Sequence, residues 1–152
     1  MNDTKPNIIL MAEDDSDDRL LVKDAIAECH WEGQVHFVEN GEELLDYLSR
    51  RGKYSQPGSA PRPGLILLDL NMPRKDGREV LRELKADSDL RRIPVVVLTT
   101  SQAHTDIERM YELGANTFIS KPVQFEALVN VMRSLGQYWF EVVELPVPKV
   151  LI

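Results

Sequence analysis

Two short runs, Leu65–Leu68 and Val95–Leu98, are apolar at every position. A strand with one face in water alternates apolar and polar residues. Four apolar residues in succession suit a strand buried on both faces, as in a parallel sheet covered by helices. Three more short runs fit the same sheet: Ile8–Ala12, Val35–Val38 and Thr117–Ile119. Between and after them, apolar residues recur at helical spacing. The stripes are Leu20, Leu21, Ala25 and Ile26; Leu44, Leu45 and Leu48; Val80, Leu81 and Leu84; Ile107, Met110 and Tyr111; and Phe125, Leu128, Met132 and Leu135. Such stripes signify core contact.

The punctuation agrees with this alternation. Asn40 with Glu43, Asp76 with Glu79, and Thr105 with Glu108 each set a capping side chain three residues before a Glu, the signature of a helix start. Gly114 falls where a left-handed residue would close the fourth helix. Pro94 holds Ile93 extended at the entry to the fourth strand. Five β–α repeats predict a doubly wound α/β domain around a five-stranded parallel sheet. Right-handed crossovers then place helices on both faces. The domain spans residues 7–136, preceded by a short tail (1–6) and followed by an extension (137–152).

With 152 residues, 43% of them hydrophobic and 28% charged, the chain is long enough to bury a core and far from the composition of disorder. Its net charge of −7 argues against nucleic-acid binding, which wants a basic face. The single cysteine, Cys29, excludes an internal disulfide and reads as a small apolar residue on a helix. Residues 1–7 lack the basic and apolar regions of a signal peptide. No run approaches the roughly 20 apolar residues of a membrane span. The expectation is therefore a cytoplasmic protein that binds no membrane.

In doubly wound sheets the working site lies at the carboxyl ends of the strands, near a topological switch point. Glu13-Asp14-Asp15 follows the first run, Asp69 the third, Thr99-Thr100 the fourth and Lys121-Pro122 the fifth. Each has a bland reading alone: acids favour a helix N-terminus, and Lys before Pro is commonly a solvated turn. Their meeting at one rim is what asks for chemistry. Crowded carboxylates call for a hard divalent cation such as Mg²⁺, which takes a few carboxylates and a substrate phosphate. An Asp can act as nucleophile toward phosphorus. Lys121 supplies a cation and Thr99 a hydroxyl for the transferred oxygens.

Over about residues 7–136 the chain resembles the receiver domains of two-component response regulators, the CheY-like branch of the flavodoxin-like fold. The residues that carry this are Glu13-Asp14, Leu67-Leu68-Asp69-Leu70-Asn71-Met72-Pro73 with Asp76-Gly77, then Thr99 and Lys121-Pro122. The resemblance implies that Asp69 accepts a phosphoryl group from a phosphohistidine on a sensor histidine kinase. It implies Mg²⁺ held by Asp14, Asp69 and the Asn71 carbonyl, with Glu13 on a metal-bound water. Lys121 would pair with the phosphoryl group, Thr99 would bring its hydroxyl to it, and Phe118 would be the ring that moves with that threonine. It also implies a switch that catalyses its own phosphorylation and dephosphorylation. Two positions depart from the commonest pattern. Glu13 stands where Asp is frequent, lengthening the reach, with Asp15 a neighbouring spare; Thr100 stands where Ala or Gly is frequent, narrowing access.

The insert at residues 51–64, the run at 71–81, and Tyr138-Trp139-Phe140 followed by Leu145-Pro146 are similar to the stand-alone regulators paired with cyanobacterial phytochromes. The insert's Pro and Gly content predicts an exposed loop. With no output domain expected after the fifth helix, the signal would pass to a downstream protein target by contact. The extension is largely apolar, and either it folds back on its own domain or it forms a homodimer face through Tyr138, Trp139 and Phe140. Two rivals fail on residues: a dehalogenase-like phosphatase wants an acid at Asn71, and a flavodoxin-like carrier wants a hydroxyl-rich loop where Glu13–Asp15 lie. A docking-only receiver would lack Asp69 or Lys121, and both are present.

Overall fold

The apolar runs pair as parallel strands in the order β2-β1-β3-β4-β5. They are β1 (Ile8–Ala12), β2 (Gln34–Val38), β3 (Leu65–Leu68), β4 (Val95–Thr99) and β5 (Thr117–Ser120). Five helices follow them in turn: α1 (Ser16–Cys29), α2 (Gly41–Ser49), α3 (Gly77–Ala86), α4 (His104–Glu112) and α5 (Phe125–Gly136). The computed structural model describes residues 8–31, 33–70, 72, 74–99 and 104–138. Among these residues no helix is long and apolar enough to cross a membrane.

Strand side chains alternate between two cores, one on each face. Ile9, Met11, Leu65, Leu67, Val96 and Leu98 pack with Val22 and Ala25 of α1 and with Leu128, Val129, Met132 and Leu135 of α5. Leu10, Leu68, Val95 and Val97 pack on the other face with Leu44 and Leu45 of α2, Val80, Leu81 and Leu84 of α3, and Met110 of α4. Burial on both faces is why β3 and β4 show no alternation.

The register builds the rim. Ala12 pairs with Leu68, so the next residues, Glu13 and Asp69, leave the sheet side by side. Thr99 pairs with Ser120, and Lys121 N–H donates to the Thr99 carbonyl at 2.7 Å. The sequence order reverses between β1 and β3, and the acids lie at that switch point.

Three local expectations change. The buried stripe of α1 is Val22, Ala25, Ile26 and Cys29, whereas Leu20 and Leu21 are 57% and 45% exposed. Helix α4 is described from His104 onward, so Thr105 lies within the helix rather than ahead of it as a cap. The insert is exposed over much of its length but anchored to the domain by several hydrogen bonds. Tyr47 O–H donates to the Pro61 carbonyl at 2.8 Å and Tyr54 O–H to Glu43 at 2.5 Å, while Ala60 is buried.

Candidate functional site

Three carboxylates meet at the rim. Glu13 and Asp69 are buried, Asp14 is exposed, and each offers an oxygen within 4.8 Å of the others. Like charges this close repel strongly unless a cation intervenes. The chain supplies one from β5: Lys121 Nζ lies 2.5 Å from Glu13 Oε1 and 3.5 Å from Asp18 Oδ2, with only 8% of its side chain exposed.

The two partners titrate differently. Burial pushes the Glu13 carboxyl up to about 7, the Asp69 charge adds to this, and Lys121 pulls against it. For Lys121, burial works to lower the ammonium's value, but the bond to Glu13 and the charges of Glu13, Asp69 and Asp18 outweigh it and raise it. Lys121 is therefore a fixed positive charge at neutral pH, while Glu13 sits within reach of titration.

The turn that carries the acids is itself held. Asp15 caps α1, its carboxylate accepting from the N–H groups of Asp17 and Asp18 at 2.8 and 3.1 Å. Arg19, one turn into α1, donates from one guanidinium nitrogen to the carbonyls of Glu13 and Asp14 at 2.7 and 3.1 Å. On the other side, the α3 N-terminus abuts the strand that bears Asp69. A Cβ on Gly77 would come within 2.7 Å of the Asp69 carbonyl oxygen, so only glycine allows this approach. Asp76 caps α3 reciprocally with Glu79, and Gly77 N–H donates to the Leu70 carbonyl at 3.0 Å.

Thr99 ends β4, fully buried, and Phe118 lies on β5 opposite Val97, half-buried against the α2–α3 core. Glu13, Asp14, Asp69, Thr99 and Lys121 thus all arise from the carboxyl rim. Phe118 lies within β5, short of the rim, and Tyr138 lies at the far end of α5, where it is 54% exposed. Asn71, Thr100, Trp139 and Phe140 lie outside the described residues. The site adds two residues that the sequence alone did not single out, Asp18 and Arg19. A helix starting at Ser16 puts both in its first two turns, and that start was the available signal.

Chemically, the cluster is a set of hard oxygen donors with one fixed cation beside it. A hard divalent cation suits such donors, and the crowding of Glu13, Asp14 and Asp69 around a shared point fits one. The same rim offers a buried carboxylate, a hydroxyl and an ammonium to a phosphoryl group.

Known proteins are similar to this chain in sequence and fold. The family model for the response regulator receiver domain matches residues 9–133. Response regulator Rcp1 of the cyanobacterium Synechocystis sp. is 40% identical over 141 residues, covering 93% of this chain and 94% of Rcp1. Two crystal structures superpose well: that of the phosphorylated cyanobacterial phytochrome response regulator RcpA, with a TM-score of 0.84, and that of the Mn²⁺-bound form of Rcp1, with a TM-score of 0.83. Each is 40% identical, and each alignment covers 93% of this chain and 99% of the other. The chain belongs to the response regulator receiver family and is related to the phytochrome response regulators within it.

Proposed function

We propose that this chain is a stand-alone, cytoplasmic response regulator that accepts a phosphoryl group on Asp69 from the phosphohistidine of a sensor histidine kinase, with Mg²⁺, and signals through protein contacts. The observation that carries this reading is the meeting of Glu13, Asp14 and Asp69 with Lys121 at the β1/β3 switch point. Relation to regulators of phytochromes favours a phytochrome-type kinase as the donor.

The roles are those that the receiver family implies, supported by the meeting of Glu13, Asp14, Asp69 and Lys121 at the rim. Asp14, Asp69 and the Asn71 carbonyl would hold Mg²⁺, with Glu13 on one of its waters. When bound, the cation neutralises the carboxylates and the charge on the transferred oxygens. Asp69 attacks phosphorus; the oxygen–phosphorus bond forms as the phosphorus–nitrogen bond breaks, and the electron pair returns to the imidazole. Lys121 pairs with a phosphoryl oxygen and Thr99 donates its hydroxyl to another. Thr99 and Phe118 stand on the paired strands β4 and β5, and the family resemblance implies that Phe118 would turn inward as the Thr99 side chain moves. The acyl phosphate is later hydrolysed at the same site.

The test is labelling by acetyl phosphate and by candidate histidine kinases with ATP, each with Mg²⁺. Wild type should be labelled, and Asp69→Asn should not. Undiminished labelling of Asp69→Asn would remove Asp69 as the acceptor.

A further inference from the structure

The ammonium of Lys121 has two ion-pair partners on different elements, Glu13 at the end of β1 and Asp18 in the first turn of α1, and the Asp69 charge also acts on it. The first is fully buried and lies in the carboxylate cluster that suits a divalent cation. The second is 38% exposed in its side chain and lies on the outer side of Lys121. It lines a recess with Leu21, Val22, Pro122 and Phe125. Glu13 therefore has two claims on it, from Lys121 and from the cation, and Asp18 has one.

We propose that Asp18 is a positioning residue that receives the Lys121 ammonium when the cation draws Glu13 away. The inference rests on the reading of the rim as a Mg²⁺ site. A buried ammonium deprived of its partner is costly, so cation binding would otherwise oppose itself by stripping Lys121 of Glu13. Asp18, already at 3.5 Å, lessens that opposition with a small shift of one flexible side chain. It also keeps the ammonium at the rim, beside Asp69, rather than letting it swing outward. In the charge ledger of the site, Lys121 is handed from a buried carboxylate to a half-exposed one, and from there it can pass to a phosphoryl oxygen. Asp18 faces only Lys121 in this role and takes no part in holding the metal.

Amide chemical-shift titration with Mg²⁺ of Asp18→Asn, in the wild-type and Lys121→Gln backgrounds, tests the proposal. Asp18→Asn should weaken Mg²⁺ binding several-fold in the wild-type background and leave it unchanged in Lys121→Gln, and Asp18→Glu should restore it. An equal loss in both backgrounds would mean that Asp18 acts only as a distant negative charge, and unchanged affinity in the wild-type background would equally overturn the proposal. A readout that does not depend on Lys121→Gln folding is the side-chain ammonium signal of Lys121. In the Mg²⁺-loaded wild type it should be slow to exchange, and in loaded Asp18→Asn it should broaden or vanish; persistence there would overturn the proposal. If wild type binds no Mg²⁺, the parent reading fails and takes this one with it; if wild type binds and Asp18→Asn binds equally, only this one fails.

Discussion

Glu13 is buried, and it stands between an ammonium and two other carboxylates. Burial lifts its carboxyl from an ordinary 4.5 to about 7. A group whose folded value lies above its unfolded value stabilises the fold below the unfolded value and loses that contribution as pH rises through the folded one. Metal-free protein should therefore lose melting temperature between about pH 4.5 and about pH 7, and Glu13→Gln should flatten that slope. Equal slopes in the two proteins would show that Glu13 does not titrate there. Mg²⁺ needs the carboxylate, so its affinity should climb across the same interval, because binding displaces a proton. Arg19 belongs to the same scale. Charge-assisted hydrogen bonds are worth about 1.5–3 kcal/mol, so Arg19→Ala, which removes the clasp on the Glu13 and Asp14 carbonyls, should lower unfolding free energy by about that much. It should also weaken Mg²⁺ binding, because the acid-bearing turn is no longer fixed. Arg19→Ala with wild-type stability and affinity in a denaturant series and a Mg²⁺ titration would mean the clasp is dispensable.

At the scale of elements, helix α3 shows how a local sequence signal reaches the site. Its reciprocal cap of Asp76 and Glu79 satisfies N–H groups at the helix end, and Asp76→Ala should cost about 1 kcal/mol. Gly77→Ala should cost more, since the new methyl would press on the Asp69 carbonyl; slowed phosphorylation beyond the loss of stability is the expected outcome. If labelling rates matched wild type, the close approach would be irrelevant to chemistry. The strands and this cap were legible because each follows a rule of one residue type at one spacing. The apolar runs lie within β1–β5, and Asp69, Thr99 and Lys121 fall at strand ends for the same reason. Other features had no such signal. His30 and Arg50 close α1 and α2 in left-handed conformation, at φ 53° and 55°, where sequence alone would look for glycine. The face of α1 was misread because Leu20 and Leu21 are apolar but lie on its outer side; which residues face inward depends on α5, whose Val129 carbonyl even accepts from Cys29 Sγ at 3.3 Å. The bonds of Asp18 and Arg19 depend on the exact start of that helix, and helix boundaries are the weakest element of any reading from sequence.

For the molecule as a whole, the question is how a phosphoryl group at one end of the sheet is felt elsewhere. Strand β5 is an edge of the sheet, and edge strands are natural places for association. Beside it, Thr117, Ile119, Asn130, Val131, Ser134, Leu135 and Tyr138 line an open hollow of about 500 Å³ between β5 and α5. Lys121 follows β5 directly, and Phe118 is part of it. One short strand therefore joins the proposed phosphoryl site, the proposed switch residue and this apolar hollow. Residues 139–152 lie outside the described residues, and their sequence is largely apolar, which supplies more surface that water disfavours. We propose that this end of the molecule forms a homodimer whose strength depends on phosphorylation, since any movement of Phe118 alters the strand on which the hollow is built. Opposing it, a net charge of −7 on each chain repels at low salt, so association should strengthen as salt is added. Light scattering should give twice the chain mass at micromolar concentration, with a tighter dimer after treatment with acetyl phosphate and Mg²⁺. Tyr138→Asp should weaken the dimer in both states while leaving Asp69 labelling intact, because Tyr138 is far from the rim. A monomer in both states, at concentrations up to the millimolar range, would leave phosphorylation to be read by a different protein and at a different surface.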